Sequence, residues 1–445
     1  MKLCSIMPAV AVAAILFTPV VRAADALSPA CLARATASLD AWVHGDYAGA
    51  RKDFGGTLAS KVDAAKLEQG RELLQDTLGA YRSHDPLQQK VLAGHVVAVS
   101  KLSFANMQLG FMAACDMQDK IVSYNFMPVE ELDATAVQAH VEADGVRVLP
   151  LDVPTPVGPL RGALTLPSGS GPFPAMVLLA GSGPHDMDET VGPNKPLQDI
   201  AEGLAHAGIA SLRYDKRTFD HPKSGAGLVV DAEVTDDAVA AARLLAQQKA
   251  VDPRRVFVLG HSLSAMMAPR IGQRAPQLAG LVLLGAPARS LLDVSAEQVR
   301  VLGQRDHATA AQIAAREQAI AAEQKLLAGA DPRHPPAGSF ASIPHAYWLS
   351  LHEYHQVVAA KALSMPMLIL QGGSDFQVSP TLDFARWQQE LAGRPQTTFR
   401  LYPGLSHFFM LAGKTGTAAD FKVPAHVDAK VIDDIATWVK AQPAH

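Results

Sequence analysis

The segment that most constrains this chain is Val256-Phe257-Val258-Leu259-Gly260-His261-Ser262-Leu263-Ser264-Ala265. Four consecutive apolar residues predict a strand buried on both faces, as in a parallel sheet. Gly260 follows, lets the backbone pass close to a neighbouring strand, and Ser262 then stands on a sharp turn ahead of a short helix over 266–270. Such a turn lifts a serine hydroxyl clear of the sheet, and the helix behind it points N–H groups at an anion. An acyl-transfer nucleophile needs that geometry. Ser264 takes the last position of the pattern G-x-S-x-G, where glycine is usual. A serine side chain is small enough to leave the turn feasible, and Ser264→Gly is expected to be tolerated. Alone, the segment also suits an ordinary βα unit with Ser262 as a helix N-cap.

Downstream, Met365-Pro366-Met367-Leu368-Ile369-Leu370-Gln371-Gly372-Gly373-Ser374-Asp375 reads as an apolar strand ending in a glycine turn and an acid. Thr398-Phe399-Arg400-Leu401-Tyr402-Pro403-Gly404-Leu405-Ser406-His407 reads as a strand, a Pro-Gly turn and a histidine. The chain order Ser262, Asp375, His407 is the serine–acid–histidine order of one class of nucleophilic site. Each residue follows the carboxyl end of a predicted strand, the edge where open parallel sheets bind ligands. Upstream, the strand Ala175-Met176-Val177-Leu178-Leu179-Ala180 runs into Gly181-Ser182-Gly183-Pro184. Glycines there can turn backbone amides toward a substrate. The N–H groups of Ser182 and Leu263 are the candidate oxyanion donors. No G-K-[ST] follows these glycines, which excludes a phosphate loop.

Further features add to these: Asp186, Asp188-Glu189-Thr190, Gly192-Pro193-Asn194-Lys195-Pro196 and Leu212-Arg213-Tyr214-Asp215-Lys216-Arg217-Thr218. With them, residues 145–443 resemble an α/β-hydrolase of the secreted bacterial esterase and serine-aminopeptidase-like group. Ser264 and Ala180 depart from that group, which carries glycine at the first position and often histidine at the second. The resemblance implies an α/β-hydrolase fold, a mostly parallel sheet with helices on both faces and a helical lid insertion. It also implies hydrolysis of a small-molecule carboxylic ester. No metal or organic cofactor is then needed. A peptidase or thioesterase using the same three residues is the alternative. An aminopeptidase would need acids for the substrate's α-ammonium, and Asp188 and Glu189 are available for that. A non-catalytic binding protein on the same fold is the third possibility.

With 445 residues, two domains are expected. Lys2, the apolar stretch 6–21 and Val21-Arg22-Ala23 read as a signal peptide over 1–23, making the protein periplasmic or secreted. Pro8 and Pro19 interrupt the apolar run, which is short for a membrane span. Cleavage removes Lys2 and Arg22 and makes the remainder more acidic than the formal −4 of the whole chain. That balance gives no reason to expect nucleic acid or an anionic membrane as partner. Of three cysteines, Cys31 and Cys115 remain, and an even pair in an exported protein suggests a disulfide, with buried free thiols as the alternative.

Residues 26–140 read as a small α+β domain. Helices are predicted over 29–54 and 64–78, and strands over 89–102, 106–116 and 120–128. The segment resembles nuclear-transport-factor-like cones and carries no catalytic constellation. An accessory or dimerisation role is expected, and oligomeric state is left open. Residues 130–142 read as a polar connector. The insertion, about 288–361, sits between the nucleophile and the acid, where it would cover the pocket. Its His345, Tyr347, Trp348, His352, Tyr354 and His355 either line a substrate pocket or pack a helix on the sheet. His261 is read as structural or pocket-lining, since His407 fits the base position.

Overall fold

The computed structural model describes residues 27–92, 95–127, 129, 132, 137–221, 228–305 and 308–444. The expected signal segment lies outside the described residues. The chain forms two compact units, divided between residues 135 and 136.

In the first unit, helix Pro29–Val43 begins at Ser28, whose hydroxyl accepts the Cys31 N–H. Helix Ala64–Leu78 begins at Asp63, whose carboxylate accepts the Lys66 N–H. Such side chains satisfy N–H groups that a helix start leaves unpaired. The strands are β1 (Tyr81–His84), β2 (Gln88–Leu92), β3 (His95–Phe104), β4 (Gln108–Cys115) and β5 (Ile121–Met127). They pair antiparallel in the order β1-β3-β4-β5, with β2 also on β3. The run expected as one strand over 89–102 is therefore two strands, with Leu92 opposite His95. Partners three residues apart share a face, so the reversal shifts the phase of the alternation, and the continuous apolar run Val96-Val97-Ala98-Val99 hides that shift. Trp42, Phe54, Phe111 and Tyr124 fill the space between helices and sheet, and the Trp42 indole donates to the Leu67 carbonyl at 3.0 Å. Cys31 and Cys115 form a disulfide.

The second unit holds β6 (His140–Val141), β7 (Arg147–Pro150), β8 (Gly162–Leu166), β9 (Phe173–Leu179), β10 (Ala210–Tyr214), β11 (Val251–His261) and β12 (Gly280–Leu284). After them come β13 (Ser339–Phe340), β14 (Ile343–Pro344), β15 (Met367–Gly372) and β16 (Thr397–Tyr402). Nine of these form one sheet in the order β16-β15-β12-β11-β9-β10-β8-β7-β6. From β10 to β16 all pairs are parallel, and β6, β7 and β8 add an antiparallel edge. His140 and Val141, expected in the connector, thus belong to this sheet.

Alternate residues of the central strands serve two cores, which is why these strands read as continuous apolar runs. Val177, Val258, Leu281 and Ile369 face one layer, with helices Asp237–Ala246 and Leu263–Arg274. Leu178, Leu259, Val282 and Leu370 face the other, with helices Pro196–His206 and Ala429–Ala441. The insertion carries helices Leu291–Arg305, Ala310–Ala328, His345–His352 and Gln356–Lys361, and the β13–β14 hairpin. A capping box of Thr309 and Gln312 starts its longest helix. Tyr347, Trp348 and Tyr354 are buried in the adjoining core, and Tyr354 donates to the Met266 carbonyl at 3.2 Å. Of the two expectations for these aromatics, the structure shows packing. Among the described residues no helix is long and apolar enough to cross a membrane.

Candidate active site

Ser262 sits between β11 and helix Leu263–Arg274 with φ +52° and ψ −115°. A non-glycine residue rarely adopts a positive φ, and such strain gathers at functional sites. The Ser262 N–H donates to the Leu284 carbonyl at the end of β12, at 2.8 Å, which ties the turn to the neighbouring strand. Gly260 makes the turn possible, but not through clearance from a neighbouring strand as expected. A side chain there would lie 2.4 Å from the Ser264 carbonyl carbon, so the crowding comes from the first turn of the following helix.

Asp375 and His407 meet at the ends of adjacent strands β15 and β16. The His407 Nδ1–H donates to Asp375 Oδ2 at 2.7 Å, and both side chains are buried. The same carboxylate oxygen accepts from Gln371 Nε2 at 2.9 Å. Its other oxygen accepts the Gln377 and Val378 N–H groups at 2.8 and 2.9 Å. Four donors satisfy this buried carboxylate and fix its plane. Gly285, just past β12, clears the space: a side chain there would meet His407 Nδ1 at 3.1 Å and Asp375 Oδ2 at 3.5 Å. His407 is brought beside the nucleophile through His261, the residue before Ser262. Their rings lie 4.5 Å apart, and His261 Nε2 donates to the His407 carbonyl at 3.1 Å.

The glycine loop after β9 lies against the same serine. A side chain on Gly181 would touch the Ser262 Cβ at 3.1 Å. The Gly181 N–H donates to Glu189 Oε1 at 2.6 Å, and the Gly181 carbonyl accepts from Lys216 Nζ at 2.7 Å. The Ala180 carbonyl accepts from the Ser264 hydroxyl at 2.5 Å. Ser264 is therefore more than a small substitute for glycine, because it bonds the elbow to this loop. Among the described residues, no group accepts the N–H of Ser182 or of Leu263, the two expected oxyanion donors.

His261 is buried and its Nδ1 binds Glu189 Oε1 at 2.8 Å. Burial alone would lower the imidazole, but the Glu189 charge and hydrogen bond outweigh it and raise its pKa. Burial would likewise raise Glu189, and the His261 charge and hydrogen bond hold it below the ordinary carboxylate range. A buried, hydrogen-bonded carboxyl–imidazole pair thus stands behind the nucleophile. Asp188 is engaged as well, accepting from Arg213 Nε at 2.7 Å and from Lys195 Nζ at 3.1 Å. Roles for Glu189, Lys216 and Gly285 were not legible beforehand. The available signal was charge placed directly after apolar strands or loops, in Asp188-Glu189 and Asp215-Lys216.

A serine aminopeptidase (S33) family model matches residues 194–411. Esterase EstD of Thermotoga maritima is 40% identical over 283 residues, 64% of this chain and 66% of that protein. The chain has an α/β-hydrolase fold and is similar to that family, and it spans just under two thirds of the length of its esterase relative. Among solved structures, Est1E from Butyrivibrio proteoclasticus is similar at 13% identity, covering 69% of this chain and 100% of its own, with a TM-score of 0.43. The Pyrobaculum calidifontis esterase is similar at 16% identity, covering 68% of this chain and 87% of its own, with a TM-score of 0.42. The bonded Asp375–His407 pair reaches Ser262 through its neighbour His261, and the loop that carries the Ser182 N–H packs on the Ser262 Cβ.

Proposed function

We propose that the chain is a carboxylic ester hydrolase working through an acyl-enzyme on Ser262. The observation that carries this reading is the buried His407–Asp375 pair, bonded at 2.7 Å beside a serine held at positive φ. His407 removes the Ser262 proton as the hydroxyl attacks the ester carbonyl, and then gives that proton to the leaving alcohol. Asp375 keeps Nδ1 protonated and stabilises the imidazolium. The Ser182 and Leu263 N–H groups hold the oxyanion, and water, deprotonated by His407, releases the acid.

The candidate ammonium anchors of the aminopeptidase alternative are already engaged by other groups, although Glu189 Oε2 has no hydrogen-bond partner among the described residues. Glu189 is held by His261 and the Gly181 N–H, and Asp188 by Arg213 and Lys195. Ester substrates need no such anchor. Export to the periplasm or beyond is part of the proposal. It is supported by the Lys2-led apolar segment and by the Cys31–Cys115 disulfide, a bond favoured in oxidising compartments.

The test is labelling with a fluorophosphonate alongside turnover of chromogenic short-chain esters. The probe should add to Ser262, and Ser262→Ala should abolish both labelling and a pre-steady-state burst. Labelling elsewhere, or turnover that survives Ser262→Ala, overturns the proposal.

A further inference from the structure

Two consecutive peptide units, Ala180–Gly181 and Gly181–Ser182, pass the nucleophile and offer four polar groups. Three are taken by buried side chains from three separate places in the chain. Ser264 binds the Ala180 carbonyl, Glu189 the Gly181 N–H, and Lys216 the Gly181 carbonyl. The Ser182 N–H is left over. A trans peptide is planar, with its C=O and N–H pointing in opposite directions. Whatever grips the Gly181 carbonyl therefore sets the direction of the Ser182 N–H. Gly181 has no side chain to restrict it, so an external grip is what limits its rotation.

We propose that Lys216 is a positioning residue of the oxyanion hole, aiming the Ser182 N–H through the Gly181 carbonyl, and that Glu233 and Tyr347 link the insertion to it. This rests on the acyl-transfer reading above. Lys216 is 5% exposed, and its ammonium is shared between the Gly181 carbonyl and Glu233 Oε1 at 3.3 Å. A cation on a carbonyl also polarises the whole peptide and strengthens its N–H as a donor. Glu233 is buried too, and its other oxygen accepts the Tyr347 hydroxyl from helix His345–His352. Thr218 donates to Oε1 at 2.7 Å. Burial pushes the Glu233 carboxyl up, but Lys216, Tyr347 and Thr218 together hold it below the ordinary range. A chain of direct contacts thus runs from the insertion, through Tyr347, Glu233 and Lys216, to the peptide facing Ser262.

The experiment compares wild type with Lys216→Met, the double variant Lys216→Met/Glu233→Gln, Lys216→Arg and Tyr347→Phe. The double variant leaves no uncompensated buried charge, so it guards against misfolding. Three quantities are read: kcat, KM and affinity for a trifluoromethyl ketone, whose serine adduct carries an oxyanion. Both methionine variants should lose about 100-fold in kcat, the scale of one lost oxyanion donor, with KM little changed. Ketone affinity should fall in parallel, and Lys216→Arg should recover part of both. Tyr347→Phe should lose about threefold to tenfold in kcat, the worth of one buried hydrogen bond. A folded double variant within threefold of wild type, or a loss confined to KM, overturns the role of Lys216. An unchanged Tyr347→Phe overturns the link to the insertion, and it carries the test if no lysine variant folds. Wild type that is not labelled at Ser262 overturns the acyl-enzyme reading, and this proposal with it. Wild-type turnover with an indifferent Lys216 overturns only this one.

Discussion

The two flanks of Ser262 are held by different means. On the acid–histidine flank the supports of the acid are local, although His407 itself is tied to Asp375 and to His261, 32 and 146 residues away. Asp375 is fixed by N–H groups two and three residues away and by Gln371, four residues away on its own strand. On the oxyanion flank the supports come from a distance. Gly181 and Ala180 are gripped by side chains 8, 35 and 84 residues away in sequence. A locally supported site survives as a short motif, since the turn that delivers the residue also holds it. A remotely supported one depends on the tertiary fold bringing charged side chains under a glycine loop. Substitution on the first flank should remove chemistry, and on the second it should misdirect geometry.

The largest expected effect breaks the first flank. His407→Ala should lower kcat by on the order of 10⁴-fold, since the serine loses its base, with the fold intact. Asp375→Asn should lower it by a similar factor by favouring the wrong imidazole tautomer. Steady-state kinetics with melting curves check both. Near-normal rates in His407→Ala would make His261 the base and erase the contrast between the flanks.

The next effect lies on the second flank and depends on pH. Glu189→Gln keeps an acceptor for the Gly181 N–H but leaves His261 without its counter-ion. Breaking a buried pair in this way costs about 3–5 kcal/mol. The Glu189 carboxyl is held below its ordinary value of 4.5, so its contribution is present above that value and lost as pH falls through the lower folded one. His261 is raised above its ordinary 6.5, so its contribution is present below that value and lost as pH rises through the higher folded one. The melting difference between wild type and Glu189→Gln should therefore be greatest between about 4.5 and 6.5 and shrink on either side. A difference that does not vary with pH would mean that the pair is not ionised. The same variant should lower kcat by about 10-fold to 100-fold through the loosened glycine loop.

The same contrast explains what could be read in advance. Ser262, Asp375 and His407 were legible because each follows an apolar strand at a turn with glycine or proline, and that pattern is local. The sheet was legible for the same reason: strands such as β12 are buried on both faces and stay apolar throughout. Lys216 stands in a recognised stretch without a role and Glu189 reads there only as a possible ammonium anchor, since nothing within a few residues shows which carbonyl or imidazole a charge will meet. In the first unit the β2–β3 reversal is not legible, because the continuous apolar run Val96-Val97-Ala98-Val99 hides the change of phase that pairing partners three residues apart produce. Tyr347 and Trp348 were ambiguous because an aromatic that lines a pocket and one that seals a core have the same composition.

The smallest expected effect concerns Ser264, where the flanks meet. Composition alone treats it as a small residue at a glycine position, and Ser264→Gly then costs nothing. In the structure its hydroxyl donates to the buried Ala180 carbonyl, so removing it leaves an acceptor unsatisfied, at about 1–3 kcal/mol. Ser264→Ala should lose that bond and about threefold to tenfold in kcat, because Glu189 and Lys216 still grip the loop. Ser264→Gly should lose the same bond and also loosen the first turn of helix Leu263–Arg274, and so melt lower than Ser264→Ala by roughly 0.5–1 kcal/mol. The ranking wild type, alanine, glycine in both melting and kcat is the outcome to look for. If glycine matched or exceeded the wild-type rate, the Ala180 carbonyl would need no partner, and the oxyanion loop would be set by its backbone alone, as the acid turn is.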